Sequence, residues 1–168
     1  MTAQIAETLH FNGQVMQMCS EPLGDYFALA GIDPGFEANC TALWRGYVGT
    51  WEIVGERLYL TELHGTLVNG GEASVATIFP DFPNRVFAHW FSGTLRVPQG
   101  RMLDYRKYMH LDHAYPYERD LLLVVEKGIL RSTRIRHNGI ANPGAPEGYG
   151  IPALTVFARG KKDVKDAS

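Results

Sequence analysis

Apolar and polar residues alternate from Thr41 to Val68, TALWRGYVGTWEIVGERLYLTELHGTLV, over more than twenty positions. Period-two alternation rich in Trp, Tyr, Val and Ile marks half-buried strands, and Gly55-Glu56 at its centre supplies a two-residue connection. The stretch predicts two long antiparallel strands. A type II′ turn with Gly first sets Val54 against Arg57 and, continuing outward, pairs Ile53 with Leu58, Trp51 with Leu60, Gly49 with Glu62, Tyr47 with His64, and Leu43 with Val68. These last five pairs form one mostly apolar face, read as the core side, with Trp51 deeply buried. The other face carries Glu52 with Tyr59, Val48 with Leu63, and Trp44 with Leu67.

Shorter patterns fill in the rest. Glu7 to Phe11 and Gln14 to Met18 alternate around Asn12-Gly13, a strong hairpin signal. Pro22 to Ala30 begins with Pro at a first helical position and is stopped by Gly31, so it predicts one or two helical turns. Asp33 to Asn39 reads as a loop, and Glu72 to Phe79 as a short helix ended by Pro80. Arg85 to Val97 alternates and predicts one strand, bent at Gly93. Pro98-Gln99-Gly100 reads as a turn before a strand over Arg101 to Leu111. Asp120 to Glu126 and Ile129 to His137 predict a second clear hairpin around Lys127-Gly128. Asn138 to Pro152 has four Gly and three Pro in fifteen residues, which rules out an element interior. Ala153 to Ala158 predicts a last strand. Residues 160-168 read as a flexible charged tail after a single β-rich domain over 1-159.

About eight strands joined by turns, with two short helices, predict a predominantly antiparallel α+β fold: a curved sheet or partly open barrel. The chain has 168 residues, 45% of them hydrophobic, enough for one core. Sixteen Lys and Arg against eighteen Asp and Glu give a net charge of -2, too near neutral to imply an anionic membrane or nucleic acid as main partner. Cys19 and Cys40 are too far apart for a CxxC motif, and the first residues, MTAQIAETLHFNGQ, have neither the basic nor the apolar region of a signal peptide. Free thiols and a cytoplasmic location are expected. The apolar run Leu121 to Val125 is far below the ~20 residues that a membrane helix needs.

Several segments, PLGDYF at Pro22, ALWRGYVGTWEI with RLYL from Ala42 to Leu60, WFSGTLRVPQG at Trp90, and YMH followed by YPYE between Tyr108 and Glu118, resemble a family of small bacterial proteins. The resemblance runs over residues 8 to 128, with the tryptophan-rich hairpin its most specific part. It implies a bacterial source and carries over no activity or functional residue. After His110 the chain departs from that pattern, reading Leu111-Asp112-His113.

Two clusters offer chemistry. Arg45, Tyr47, Glu62 and His64 fall on the expected core face around Gly49, which has no side chain to fill the space. Buried charges persist only when paired, so the group is either a structural ion pair or the wall of a ligand pocket, where Arg45 could hold an anion and Glu62 and His64 could exchange protons. His110, Asp112 and His113 are weak metal candidates. They resemble half of an HxHxDH signature, but Tyr108 stands where its first His belongs, and strand alternation sends His113 away from the other two. No metal site and no cofactor is expected. Arg101, Arg106 and Lys107 interleave with Tyr105 and Tyr108, and Arg131, Arg134 and Arg136 lie on a later strand. That combination is what holds single-stranded nucleic acid, although alternation places Arg131 opposite the other two.

GxSxG, GxxxxGK[ST] and GxGxxG are all absent, and nucleophilic catalysis has no support. The leading expectation is a non-catalytic binding module of the bacterial cytosol that engages a protein partner, of immunity, inhibitor or accessory type. The first alternative is a small-molecule-binding or hydrolytic β-barrel built on Arg45, Tyr47, Glu62 and His64. The second is a single-stranded nucleic-acid binder.

Overall fold

Three two-residue turns set the framework. In each, both central residues have positive φ: Asn12 and Gly13 at 50° and 73°, Gly55 and Glu56 at 54° and 67°, Lys127 and Gly128 at 48° and 79°. These are type I′ values, whose twist matches that of the strands they join. The turns connect β1 (Glu7–Phe11) to β2 (Gln14–Met18), β3 (Tyr47–Val54) to β4 (Arg57–Thr66), and β8 (Tyr117–Glu126) to β9 (Ile129–His137). The middle turn is thus I′ rather than the expected II′. Because the loop length is the same, the pairs nearest the turn keep their register.

The computed structural model describes residues 4–38, 40–104, 107 and 116–148. The remaining elements are α1 (Pro22–Ala30), β5 (Glu72–Ala73), α2 (Val75–Ile78), β6 (Val86–Phe87) and β7 (Gly93–Met102). One nine-stranded sheet runs β2-β1-β3-β4-β9-β8-β7, with β5 and β6 also pairing with β4. Among the described strands only β1 with β3 is parallel, so the mostly antiparallel α+β architecture is as expected. The sheet curls without closing. Its end strands meet where Cys19 N–H donates to the Arg96 carbonyl (2.9 Å), and where the Ser20 hydroxyl donates to Thr94 O and accepts from Arg96 N–H.

Three local expectations change. Arg85 to Val97 is not one strand: β6 ends at Phe87, the chain turns through Ala88 to Phe91, and β7 starts at Gly93. Pro98 to Gly100 is not a turn, since β7 runs through it to Met102 with a register shift after Gln99 and Gly100 at φ 83°. Pro98 is tolerated because β7 ends the sheet path and needs no donor on its outer side. The helix expected over Glu72 to Phe79 shrinks to α2, whose Ser74 and Thr77 form a reciprocal cap, and is preceded by β5. The strands expected at Arg101–Leu111 and Ala153–Ala158 extend or lie outside the described residues, as does the tail.

The core fills the concave side of the sheet. Leu9, Trp51, Leu58, Leu60, Leu95 and Leu123 have no exposed surface and belong to one cluster. α1 closes over it with Pro22, Leu23 and Phe27 buried, stopped by Gly31 in the left-handed region. Its aromatic side joins a ring network in which Tyr26 meets Phe79 at 4.8 Å and Trp90 at 5.0 Å, while Trp90 Nε1–H donates to Pro22 O.

Candidate functional site

The register of the central hairpin decides where its polar residues go. Val54–Arg57, Ile53–Leu58 and Trp51–Leu60 pair as expected, but Thr61 then bulges, so that Thr50 faces Glu62, Gly49 faces Leu63, Val48 faces His64, and Tyr47 faces Gly65. The Thr61 hydroxyl donates to Thr50 O at 3.1 Å, fixing the extra residue. One inserted residue turns every later side chain to the opposite face. Glu62 and His64 therefore lie on the outer face, with side chains 63% and 50% exposed and only each other at 3.4 Å. Leu63 takes the core position instead.

Arg45 and Tyr47 do stay inside, and their partner is a residue not picked out from sequence. Glu7 on β1 sits in phase with Leu9 and faces inward across the parallel β1–β3 pair. Its carboxylate accepts the Gly49 N–H and lies 3.6 Å from Arg45 Nε. Arg45 Nη1 is 3.5 Å from Glu21, and Nη2 donates to Ile5 O at 2.8 Å. The guanidinium also lies 5.5 Å from the centre of the Tyr47 ring. Gly49 is needed here, because a Cβ would come within 2.8 Å of Trp51 Nε1 and 3.2 Å of Glu7 Oε2. Burial raises the Glu7 pKa to about 8 despite the opposing pull of Arg45 and the Gly49 N–H. Burial likewise pushes the Tyr47 hydroxyl up, reinforced by the charges of Glu7 and Glu21.

The cavity beside Glu7, Arg45, Glu21 and Cys19 is only about 20 Å³. That is the space of a single water, whereas ligand pockets measure about 300–1,000 Å³. Arg45 and Tyr47 thus belong to a buried ion-pair cluster, and the structure does not bring Glu62 or His64 to it.

A second buried acid lies at the far hairpin. Asp120 on β8 has no exposed surface and accepts from Arg96 Nε (2.9 Å), Arg136 Nη2 (2.7 Å) and Asn138 Nδ2 (2.9 Å). Burial alone would raise its pKa. The hydrogen bonds from Arg136 and Asn138, with the charges of Arg96 and Arg136, outweigh that and hold the carboxyl below its ordinary value.

β9 is paired fully on one side and only briefly on the other. It pairs with β8 along its length, but with β4 only at Arg57–Ile129, extended by Leu130 N–H to Glu56 O and Leu58 N–H to Gly128 O. Beyond that point β4 pairs with β6 and β5. From Arg131 to Ile135 the outer edge of β9 therefore has no backbone partner among the described residues, and all five residues are exposed. Arg131 reaches Glu126 (3.8 Å) and Arg136 reaches Asp120, while Arg134 makes no ion pair among the described residues. A cleft of about 360 Å³ opens between the end strands β2 and β7, lined by Val15, Met16, Gln17, Val97, Gln99 and Glu147.

His110, Asp112 and His113 lie outside the described residues, as do Tyr105, Arg106 and Tyr108. Among the described residues no three His, Cys, Asp or Glu gather as a metal site, and no helix is long and apolar enough to cross a membrane. No protein-family model, no curated protein and no solved structure matches the chain.

Proposed function

We propose that this chain is a non-catalytic binding module whose ligand is another protein, met in the bacterial cytosol that the sequence leads one to expect. The observation that carries the reading is the outer edge of β9 from Arg131 to Ile135, open among the described residues. From Arg131 to Ile135 the backbone groups turned away from β8 have no partner among the described residues, beside the exposed Arg134 and Ile135 side chains. Open strand edges of this kind are templates for another chain.

A photo-reactive amino acid at position 133 tests this in bacterial cells. The expected result is a covalent adduct with one protein species, absent when the same group is placed at exposed Val54. No adduct above that control would contradict the reading.

Small-molecule binding is a second reading, favoured by the 360 Å³ cleft between β2 and β7, which has the volume of a ligand site. It leaves the Arg45 cluster as internal support. Nucleic-acid binding loses ground, because two of the three β9 arginines are already turned to acids, Arg131 to Glu126 and Arg136 to Asp120.

A further inference from the structure

Polar groups of the Arg45 cluster are left over on the walls of a small cavity. The space is about 20 Å³ and is lined by Glu7, Met18, Glu21 and Arg45, with the chain from Gln4 to Ala6. The Glu7 side chain has no exposed surface, and that of Arg45 is 9% exposed. Part of each group is satisfied, since the Glu7 carboxylate accepts the Gly49 N–H through Oε2 and Arg45 Nη2 donates to Ile5 O. Glu7 Oε1, Arg45 Nε and Arg45 Nη1 are buried and make no hydrogen bond.

The distances explain why. Arg45 Nε lies 3.6 Å from Glu7 Oε1, and Nη1 lies 3.5 Å from Glu21 Oε1. Direct N–H···O hydrogen bonds run at about 2.7–3.2 Å, so both contacts are ion pairs without one. A single oxygen at that length from both members of either pair fits beside them. Buried polar groups in folded proteins nearly always find a partner, and ordered water is the partner where protein does not reach.

The walls also select the chemistry of the occupant. A cavity of about 10–15 Å³ is enough for one water, and 20 Å³ leaves no room for a polyatomic anion or an organic molecule. A cation would face the Arg45 guanidinium, and an anion would face Glu7 and Glu21. The site calls for a neutral group that accepts from an Arg45 N–H and also bonds to the Glu7 oxygen. Water does both, and it suits either form of Glu7. Burial raises that pKa to about 8, so acid and carboxylate are both within reach of neutral pH; the acid donates to water and the carboxylate accepts from it.

We infer that this cavity is a specific site for one internal water molecule, which bridges Glu7 Oε1 to Nε or Nη1 of Arg45 and completes the hydrogen bonding of the buried cluster. Such a water ties β1, which carries Glu7, to the turn before β3, which carries Arg45. It adds to the short parallel pairing of β1 with β3 and is independent of any partner at β9.

A crystal structure of the full chain that resolves ordered water, together with water-to-protein cross-relaxation in solution, tests the site. The expected result is one ordered oxygen within about 2.7–3.2 Å of both Glu7 Oε1 and an Arg45 nitrogen, with cross peaks from water to the carbon-bound side-chain protons of Glu7 and Arg45. In Arg45→Met, which removes the donors, the Glu7 cross peaks should vanish. In Glu7→Gln they should persist at position 7, because the amide keeps a polar group on the cavity wall. Arg45 Nε bonded directly to Glu7 Oε1 with the cavity closed, or no cross peak in the parent protein, would overturn the water site, whether or not Arg45→Met folds. Undiminished Glu7 cross peaks in a folded Arg45→Met would overturn it as well, since the water would then not be held by the guanidinium.

Discussion

The two long hairpins begin from the same local instructions and end in opposite roles. β3–β4 and β8–β9 both alternate, both turn through two residues of positive φ, and both carry a bulge. β3 is flanked by β1 and β4, and β4 by β3 on one side and by β9, β6 and β5 in succession on the other. Trp51 in that hairpin has no exposed surface. Among the described strands β9 pairs only with β8 past Leu130, and Arg131 to Ile135 stay exposed. Alternation says which residues share a face. Whether the strand is interior or edge depends on neighbours that arrive from elsewhere in the chain, and here β6 takes the place beside β4 that would have covered β9.

Their buried acids sharpen the contrast. Asp120 is met by three short donors and is held ionised, whereas Glu7 has one backbone donor and a guanidinium at 3.6 Å and is pushed toward its neutral form. Proximity of an arginine does not by itself keep a buried carboxylate charged. Hydrogen bonds of good length do.

Substitutions can break the comparison at points of decreasing cost. Trp51→Ala should destabilise the protein by about 3–5 kcal/mol in a urea titration, because it empties the centre of the covered hairpin; a mutant that unfolds like the parent would mean that β3–β4 is not the core. Asp120→Asn should cost about 3 kcal/mol at neutral pH, since it leaves Arg96 and Arg136 without their carboxylate. The lowered pKa fixes the sign: Asp120 contributes stability above the ordinary carboxylate range and loses it as pH falls, so the gap between mutant and parent should narrow in acid.

Glu7→Gln should change stability by about 1 kcal/mol or less in acid, because the amide oxygen can still accept the Gly49 N–H. Its raised pKa has the opposite sign. The neutral carboxyl supports folding below the ordinary value of 4.5, and this support is lost as pH climbs toward about 8, so the parent should weaken over that window and Glu7→Gln should flatten the decline. An unchanged slope in the Glu7→Gln titration would show that the cluster around Arg45, Glu21 and Tyr47 keeps Glu7 ionised. Smallest of all, Arg134→Ala should shift the unfolding midpoint by no more than about 0.5 kcal/mol in stability. A larger loss would mean that Arg134 belongs to the fold and not to a free edge.

What was legible in the sequence followed from local chemistry. Asn12-Gly13, Lys127-Gly128 and the Pro22 to Gly31 helix were read with their bounds, because positive φ and helix capping leave residue-specific traces. The bulge at Thr61 leaves none: it uses no Gly or Pro, and Thr is an ordinary strand residue. Strict alternation without that bulge puts Glu62 and His64 on the face of Arg45 and Tyr47, whereas the bulge turns both outward. Glu7 could have been found, since it alternates in phase with Leu9 inside the first hairpin, but its link to Arg45 depends on a parallel β1–β3 pair between distant segments. The break after Phe87 and the passage of β7 through Pro98 are likewise settled by pairing partners rather than by composition.

Residue-resolved hydrogen exchange on the protein alone tests the central claim, that β9 carries an open edge from Arg131 to Ile135, most directly. In an edge strand alternate amides point to the one neighbour and the rest point to solvent. Between Arg131 and Ile135, the account predicts slow exchange for amides bonded to β8 and fast exchange for the alternate set, with β3 from Thr50 to Glu52, paired on both sides, slow throughout. Uniformly slow exchange along Arg131 to Ile135 would show that the edge is already covered and would contradict the account.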